Sequence, residues 1–299
     1  MATSRRWTTA DIPDQTGRTI IVTGANSGLG KVTAAELAAK GAHVVLACRS
    51  LEKAQAAADS MRGSTEVRAL DLSDLASVRA FAADLPHERI DVLVNNAGVM
   101  APAESRTPAG WELQLATNVL GHFLLTNLLL PRITDRVVWL SSLAHRFGTI
   151  DLSDLTWQQR RYDRWRAYGQ SKLADLMLAY ELQRRLTAAG SDVRSVAAHP
   201  GYSATNLQDR PEQGWQRPAL RLLNRMPFVQ GADLGALPVL YASTVADLPG
   251  GSYIGPDGPL EARGYPRRVG SNAASHDRET ARGLWARCED LTGGPFTVR

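Results

Sequence analysis

The sequence predicts an α/β protein: a single doubly wound domain over residues 1–299, with a parallel sheet of about seven strands and helices on both faces. Three observations predict it. Short apolar runs alternate with Ala-, Leu- and Glu-rich helical segments along most of the 299 residues. Those runs are apolar at consecutive positions, as strands buried on both faces must be. A glycine-rich turn follows the first run and opens the first helix, the order in which an open α/β sheet builds a ligand crevice.

The elements follow in sequence. Thr19–Thr23 (TIIVT) reads as the first strand and Lys31–Lys40 as the first helix. His43–Ala47 (HVVLA) and Val67–Leu70 are the next strands, separated by a helical Leu51–Met61. Leu75–Leu85 is helical, Asp91–Asn95 (DVLVN) a strand, Trp111–Leu130 helical and Val137–Leu140 (VVWL) a strand. A helix over Tyr168–Ala189 and a strand over Val193–Ala198 complete the regular alternation. Two segments break it. Residues 143–167 are long, polar and rich in Arg and Trp, and read as an insertion; residues 203–231 are rich in Pro, Gln and Arg, and read as a lid. Loops of that length in a compact domain are usually functional. Residues 250–299 form a C-terminal extension, turn-rich at first and then helical around His276–Leu291.

The chain has 34 Lys+Arg against 30 Asp+Glu, a formal charge of +4, with 44% hydrophobic and 21% charged residues. That is globular composition, which excludes disordered, collagen-like and coiled-coil chains. The basic residues are dispersed, so no nucleic-acid partner is expected. Cys48 and Cys288 cannot make a disulfide framework, and no His/Cys spacing suggests a metal site. The first 17 residues lack an apolar signal region, and the longest apolar stretch, Phe123–Leu130, is too short to span a bilayer. A cytoplasmic protein without a membrane span is expected.

Thr23-Gly24-Ala25-Asn26-Ser27-Gly28-Leu29-Gly30 lies between the first strand and first helix. Its glycines permit a tight turn and close approach to a pyrophosphate, while the helix start offers free N–H groups and partial positive charge. The spacing is GxxxGxG. It reads as a dinucleotide phosphate loop, although the commoner spacing is GxGxxG; a plain αβ turn is the other reading. The second strand selects the dinucleotide: it ends Ala47-Cys48-Arg49-Ser50, with no carboxylate to accept a ribose 2′-hydroxyl. Arg49 can instead fork a 2′-phosphate with charge-assisted bonds worth roughly 1.5–3 kcal/mol, about a 10- to 150-fold preference for NADP over NAD.

Tyr168-Gly169-Gln170-Ser171-Lys172 opens a strong helical pattern. Residues at i and i+4 share one helix face. An ammonium about 6 Å from a phenol, at an effective dielectric near 20, favours the phenolate by about 2.8 kcal/mol, which suits the phenol to proton transfer.

Taken with Asn95-Asn96-Ala97-Gly98 after a strand, Ser142 after the next strand, and His199-Pro200-Gly201 after a later one, the sequence resembles the short-chain dehydrogenase/reductase family from about residue 17 to residue 245. Within it, TGANSGLGK, the ACRS strand end and the long spacer between Ser142 and Tyr168 resemble the retinol-dehydrogenase-like and WW-domain-oxidoreductase-like branch. The resemblance implies an NADP-dependent oxidoreductase acting on a carbonyl/alcohol pair. Tyr168 would be the general acid/base, Lys172 would assist it and bind the nicotinamide ribose, and Ser142, rather than Ser141, would orient the substrate oxygen. Asn118 would hold a water relaying protons to Lys172. Gly24, Asn26, Ser27, Gly28, Leu29 and Gly30 would cradle the phosphates and Asp71 and Leu72 contact adenine. Asn95, Ala97 and Gly98 would line the ribose side, and Pro200, Gly201, Ser203 and Thr205 hold the nicotinamide end. The family often pairs helices into homodimers or homotetramers.

Leu220, Leu222, Leu223, Met226 and Phe228 suggest an apolar pocket wall and so a lipophilic small-molecule substrate; a helix packed on the core fits them equally. Alternatives are a catalytically silent NADP-binding scaffold, a methyltransferase on a similar fold, and a reductase of an activated C=C bond. His145 and His199 read as structural, Cys48 as a small hydrophobe, and Trp157 and Trp165 with their arginines as a solvated loop beside the pocket.

Overall fold

The computed structural model describes residues 6–202 and 231–298. β1 (Thr19–Thr23), β2 (His43–Cys48), β3 (Ser64–Ala69), β4 (Ile90–Asn95), β5 (Ile133–Leu140), β6 (Arg194–Ala198), β7 (Tyr253–Pro256) and β8 (Pro266–Arg268) form one sheet, ordered β3-β2-β1-β4-β5-β6-β7-β8. β1 to β7 pair in parallel, and β8 joins β7 antiparallel. The fold is therefore the doubly wound one: six of its seven parallel strands correspond to the runs named from the sequence, and the C-terminal segment adds parallel β7 and antiparallel β8.

Strand alternation divides the interior in two. Val22, Val44, Leu46, Val94 and Val138 face α1 (Gly28–Ala39), α2 (Leu51–Ala58) and α6 (Ala232–Thr244). Ile21, Val45, Leu93, Val137 and Trp139 face α3 (Leu75–Asp84), α4 (Gly121–Leu129), α5 (Arg164–Ala188) and α7 (Arg278–Thr292). This is why the strand sequences read as continuous apolar runs.

Boundaries move where caps decide them. α5 was expected to open at Tyr168 but begins at Arg164, because Asp163 accepts from the backbone N–H of Trp165 (2.9 Å) and Arg166 (3.0 Å), satisfying donors a helix start leaves open. Tyr168 thus sits in the second turn, on settled helix. Leu115–Leu120 forms a π-helical turn leading into α4, a feature frequent at functional sites.

The chain reverses direction of sheet growth between β1 and β4, so a crevice opens at the carboxyl ends of those strands. Among the described residues, no helix is long and apolar enough to cross a membrane.

Candidate active site

The crevice is a cleft of about 640 Å³. Its floor is the glycine loop. Gly24 has φ +67°, and a Cβ there would meet Ala97 Cβ at 2.9 Å; a Cβ on Gly30 would stand 2.4 Å from Asn96 Nδ2 and 2.5 Å from the Gly24 carbonyl oxygen. Only glycine lets α1 come this close to the β4 loop. Thr23 ties the two together: its Oγ1 accepts from the backbone N–H of Asn96 and Ala97, both at 2.9 Å, and its carbonyl accepts from Asn96 Nδ2 at 2.7 Å. Gly24, Asn26, Ser27, Gly28, Leu29 and Gly30 all line the cleft, with Arg49 exposed at its far end beside Ser50 and Lys53. Asp71 and Leu72 line it too, two and three residues past β3.

The opposite end carries Ser142, Tyr168 and Lys172 on the cleft wall. A backbone contact presses two of their elements together: a Cβ on Gly148 would lie 2.2 Å from the Gly169 carbonyl oxygen, and one on Gly169 would strike Phe147 at 2.8 Å. The turn after β5 therefore lies directly against the second turn of α5. Ser141 is turned inward, donating to the Lys172 carbonyl at 2.8 Å, whereas Ser142 stays partly exposed with its Oγ accepting from Ala144 N at 3.2 Å. That separates the two serines physically. Tyr168 is half-buried, and Lys172 is buried with Nζ donating to the Leu140 carbonyl and to Asp175 Oδ2, both at 2.9 Å. Burial alone would lower the Lys172 pKa, but Asp175 and Tyr168 outweigh it and the ammonium is held charged.

Other predicted residues take different places. Ala97, Gly98, Pro200 and Gly201 line the cleft; Asn95 does not. Its Nδ2 donates to Thr126 Oγ1 on α4 at 2.9 Å. Its neighbour Asn96 is the asparagine on the cleft wall, with a buried Oδ1 that has no partner. Asn118 stands behind the wall: Oδ1 accepts from Val99 N (2.8 Å), and Nδ2 donates to Val99 O (3.0 Å) and Ser171 Oγ (2.9 Å). It braces the residue 98–99 loop against α5. His122 extends the brace, with Nδ1 donating to the Asn118 carbonyl and Nε2 left to accept from Thr23 Oγ1, both at 2.9 Å. Burial pushes His122 down to about 3, so the ring is neutral. Ser203 and Thr205, like Leu220, Leu222, Leu223, Met226, Phe228 and the lid through residue 230, lie outside the described residues.

His199 is fully buried, bonded to Glu261 Oε2 at 3.0 Å and accepting from Gly201 N at 3.3 Å. It shapes the turn that carries Pro200 and Gly201. Burial raises the Cys48 thiol to about 11, which suits an inert side chain. Arg160 stacks over the buried Trp157 at 3.7 Å, and Trp165 lines the cleft mouth with Phe147 and Tyr202, all three exposed. The sequence reading placed Trp157 in a solvated loop, whereas it is buried, set Trp165 beside the pocket rather than on it, and missed Asn96, Asp175, Phe147 and Tyr202 as parts of the site.

The arrangement fits a dinucleotide. The glycine cradle has no room for a Cβ, Asn96 stands on the cleft wall with a buried Oδ1 that lacks a partner, and Arg49 sits at the far end. A phenol and an ammonium, one helical turn apart, close the other end.

Comparisons with known proteins agree. The family model described as short chain dehydrogenase matches residues 18–214. Retinol dehydrogenase 13 of Homo sapiens is 42% identical over 292 residues, spanning 93% of this chain and 85% of that one. Polyprenol dehydrogenase of Mus musculus is 40% identical over 303 residues, spanning 94% and 86%. A crystal structure of a protein from Mycobacterium paratuberculosis superposes with a TM-score of 0.86 at 50% identity, covering 98% of this chain and all (100%) of that one.

Proposed function

The chain belongs to the short-chain dehydrogenase family, and from that premise we propose that it transfers hydride between NADP(H) and the carbonyl or alcohol carbon of a lipophilic small molecule, with Tyr168 as general acid and base. The observation that carries this reading is the placing of Tyr168, Lys172 and Ser142 on the wall of the same cleft whose other end is the glycine cradle and Arg49.

NADPH, held by the glycine cradle and Arg49, would supply the hydride and the redox chemistry when bound. The chain's part is protonic and positional. In reduction, Tyr168 gives its phenolic proton to the substrate oxygen, and in oxidation it takes that proton back. Ser142 Oγ, which caps its turn by accepting from Ala144 N, donates to the same oxygen and stabilises developing negative charge. Lys172 Nζ, fixed by the Leu140 carbonyl, supplies positive charge that favours the phenolate. Arg49 would meet a ribose 2′-phosphate, and Ser142 with Tyr168 would orient the reacting carbon.

Lipophilicity rests on Phe147, Trp165 and Tyr202 lining the cleft mouth. The two curated relatives carry the names of dehydrogenases of retinol and polyprenol, both long apolar alcohols.

The test is a screen of lipophilic ketones, aldehydes and alcohols followed by NADPH absorbance. Tyr168→Phe should lower kcat by about 10²–10⁴-fold while the NADPH dissociation constant and melting temperature hold. Equal turnover by the variant would remove Tyr168 from the chemistry.

A further inference from the structure

Tyr168 and Lys172 are the expected pair; Asp175 is the unexpected third member. Its Oδ2 lies 2.9 Å from Lys172 Nζ, both side chains are almost wholly buried, and its Oδ1 has no hydrogen-bond partner. We propose that Asp175 is a positioning residue that sets the protonation of Tyr168 through Lys172, holding the ammonium against the Leu140 carbonyl and offsetting part of its field on the phenol. This rests on the reading of Tyr168 as the acid/base.

Three observations carry it. First, the ammonium has three donors. One goes to Leu140 O and one to Asp175 Oδ2, so its direction is fixed from two sides and one donor remains for the cleft it lines. Second, stability does not account for the carboxylate. A buried ion pair commonly contributes no more than well-packed apolar residues of the same volume, and this one leaves an oxygen unsatisfied. Third, the charge balance is local. The other titratable groups facing the pair are Tyr168 on α5 itself, His122 from α4 and Cys288 from α7. Burial makes His122 neutral at about 3 and pushes the Cys288 thiol up, so neither is charged near neutral pH. The field reaching Tyr168 from this side is then the difference between one cation and one anion. Burial also raises the Asp175 carboxyl despite the ammonium beside it, so its charge is the more easily altered of the two.

Asp175→Asn keeps an oxygen for the ammonium and removes only the charge. The direct readout needs no cofactor: the ultraviolet tyrosinate titration of the full chain, minus that of its Tyr168→Phe counterpart, isolates one phenol. In the Asp175→Asn background that phenol should titrate about one pH unit lower. The acidic limb of kcat/KM for alcohol oxidation should move down by the same amount, with the NADPH dissociation constant within about twofold. A coincident titration overturns the proposal; an upward-moved one, the mark of Lys172 losing its proton once Asp175 no longer holds it charged, overturns the offset of its field on the phenol. If Asp175→Asn melts without a cooperative transition, Asp175→Ser, which also removes the charge, is titrated under the same criterion. If the intact chain turns over no substrate in the screen, the catalytic reading falls while the tyrosinate titration still decides what Asp175 does.

Discussion

The two ends of the sheet handle charge in opposite ways. At the amino ends of the central strands, Asp135 accepts from Arg18 in the lead into β1, Arg136 on β5 and Arg194 at the start of β6. At the outer edge, Glu66 accepts from His43 (3.1 Å), His87 (2.7 Å) and Arg68. At the carboxyl ends, Asn96 and Asp175 each keep a buried oxygen without a partner, and Arg49 and Lys53 stand exposed on the cleft wall. In its charges one end is saturated and the other is open, although Ser252 Oγ, just before β7, is also buried without a partner. The paired charges of the one end resist unfolding; the other keeps Arg49 and Lys53 exposed on the cleft wall and carries buried unpartnered oxygens at some cost in stability. Mutations at the two ends should therefore separate stability from activity.

The largest expected effect is at the saturated end. Burial alone would raise the Asp135 carboxyl, but Arg136, Arg194 and Arg18 hold it below the usual carboxylate range. Arg136 is 1% exposed, and its other bonds go to the carbonyls of Ala242 (3.0 Å) and Val245 (2.9 Å). Asp135→Ala leaves that guanidinium buried without its counter-charge, which should cost about 3–5 kcal/mol in urea unfolding. In the fraction still folded, kcat/KM should stay within about twofold, because no reacting group moves. A catalytic loss larger than the stability loss would break the separation.

At the open end the sign reverses. Arg49→Asp should leave the unfolding midpoint nearly unchanged, as exposed charges contribute little. It should move the ratio of kcat/KM for NADP over NAD by about 10- to 150-fold toward NAD, the value of a lost charge-assisted fork. An unchanged ratio would take Arg49 out of cofactor selection and leave Lys53 as the group to vary.

The same contrast explains what could be read from the sequence. Strands such as HVVLAC and IDVLVN announce themselves because burial on both faces demands an unbroken apolar run. The glycine loop was legible because Gly24 and Gly30 answer a steric demand that no other residue meets. The strand Pro266–Arg268 was not, since a three-residue edge strand of PRR carries no periodicity and exists only through pairing with β7. Asn95 and Asn96 could not be told apart, because both sit where β4 gives way to its loop and only the tertiary course decides which faces the cleft. Asp175 was the hardest. A Lys–Asp pair at i,i+3 reads as a solvated helix face, and its burial depends on the Leu115–Leu120 turn and α7 packing on α5. His43, Glu66 and His87 likewise converge only in space, with ligand-type atoms within 4.8 Å of one another, and Arg68 supplies a cation on Glu66 there.

That outer cluster makes the smallest prediction and the finest test of the contrast. Burial would raise the Glu66 carboxyl, but His87, His43 and Arg68 outweigh it and bring it down to about 2 from 4.5. A carboxyl whose folded pKa lies below its unfolded value binds fewer protons in the native state, so its stabilisation is complete above about 4.5 and fades as pH falls toward 2. Glu66→Gln should therefore cost about 1 kcal/mol at pH 7. That difference from the parent chain should stay level down to about 4.5 and shrink steadily below it. Urea unfolding of both chains from pH 7 to pH 3 measures it. A difference that ignores pH would mean the cluster acts by packing rather than by charge, and the saturated end would then owe its stability to Asp135 and its arginines.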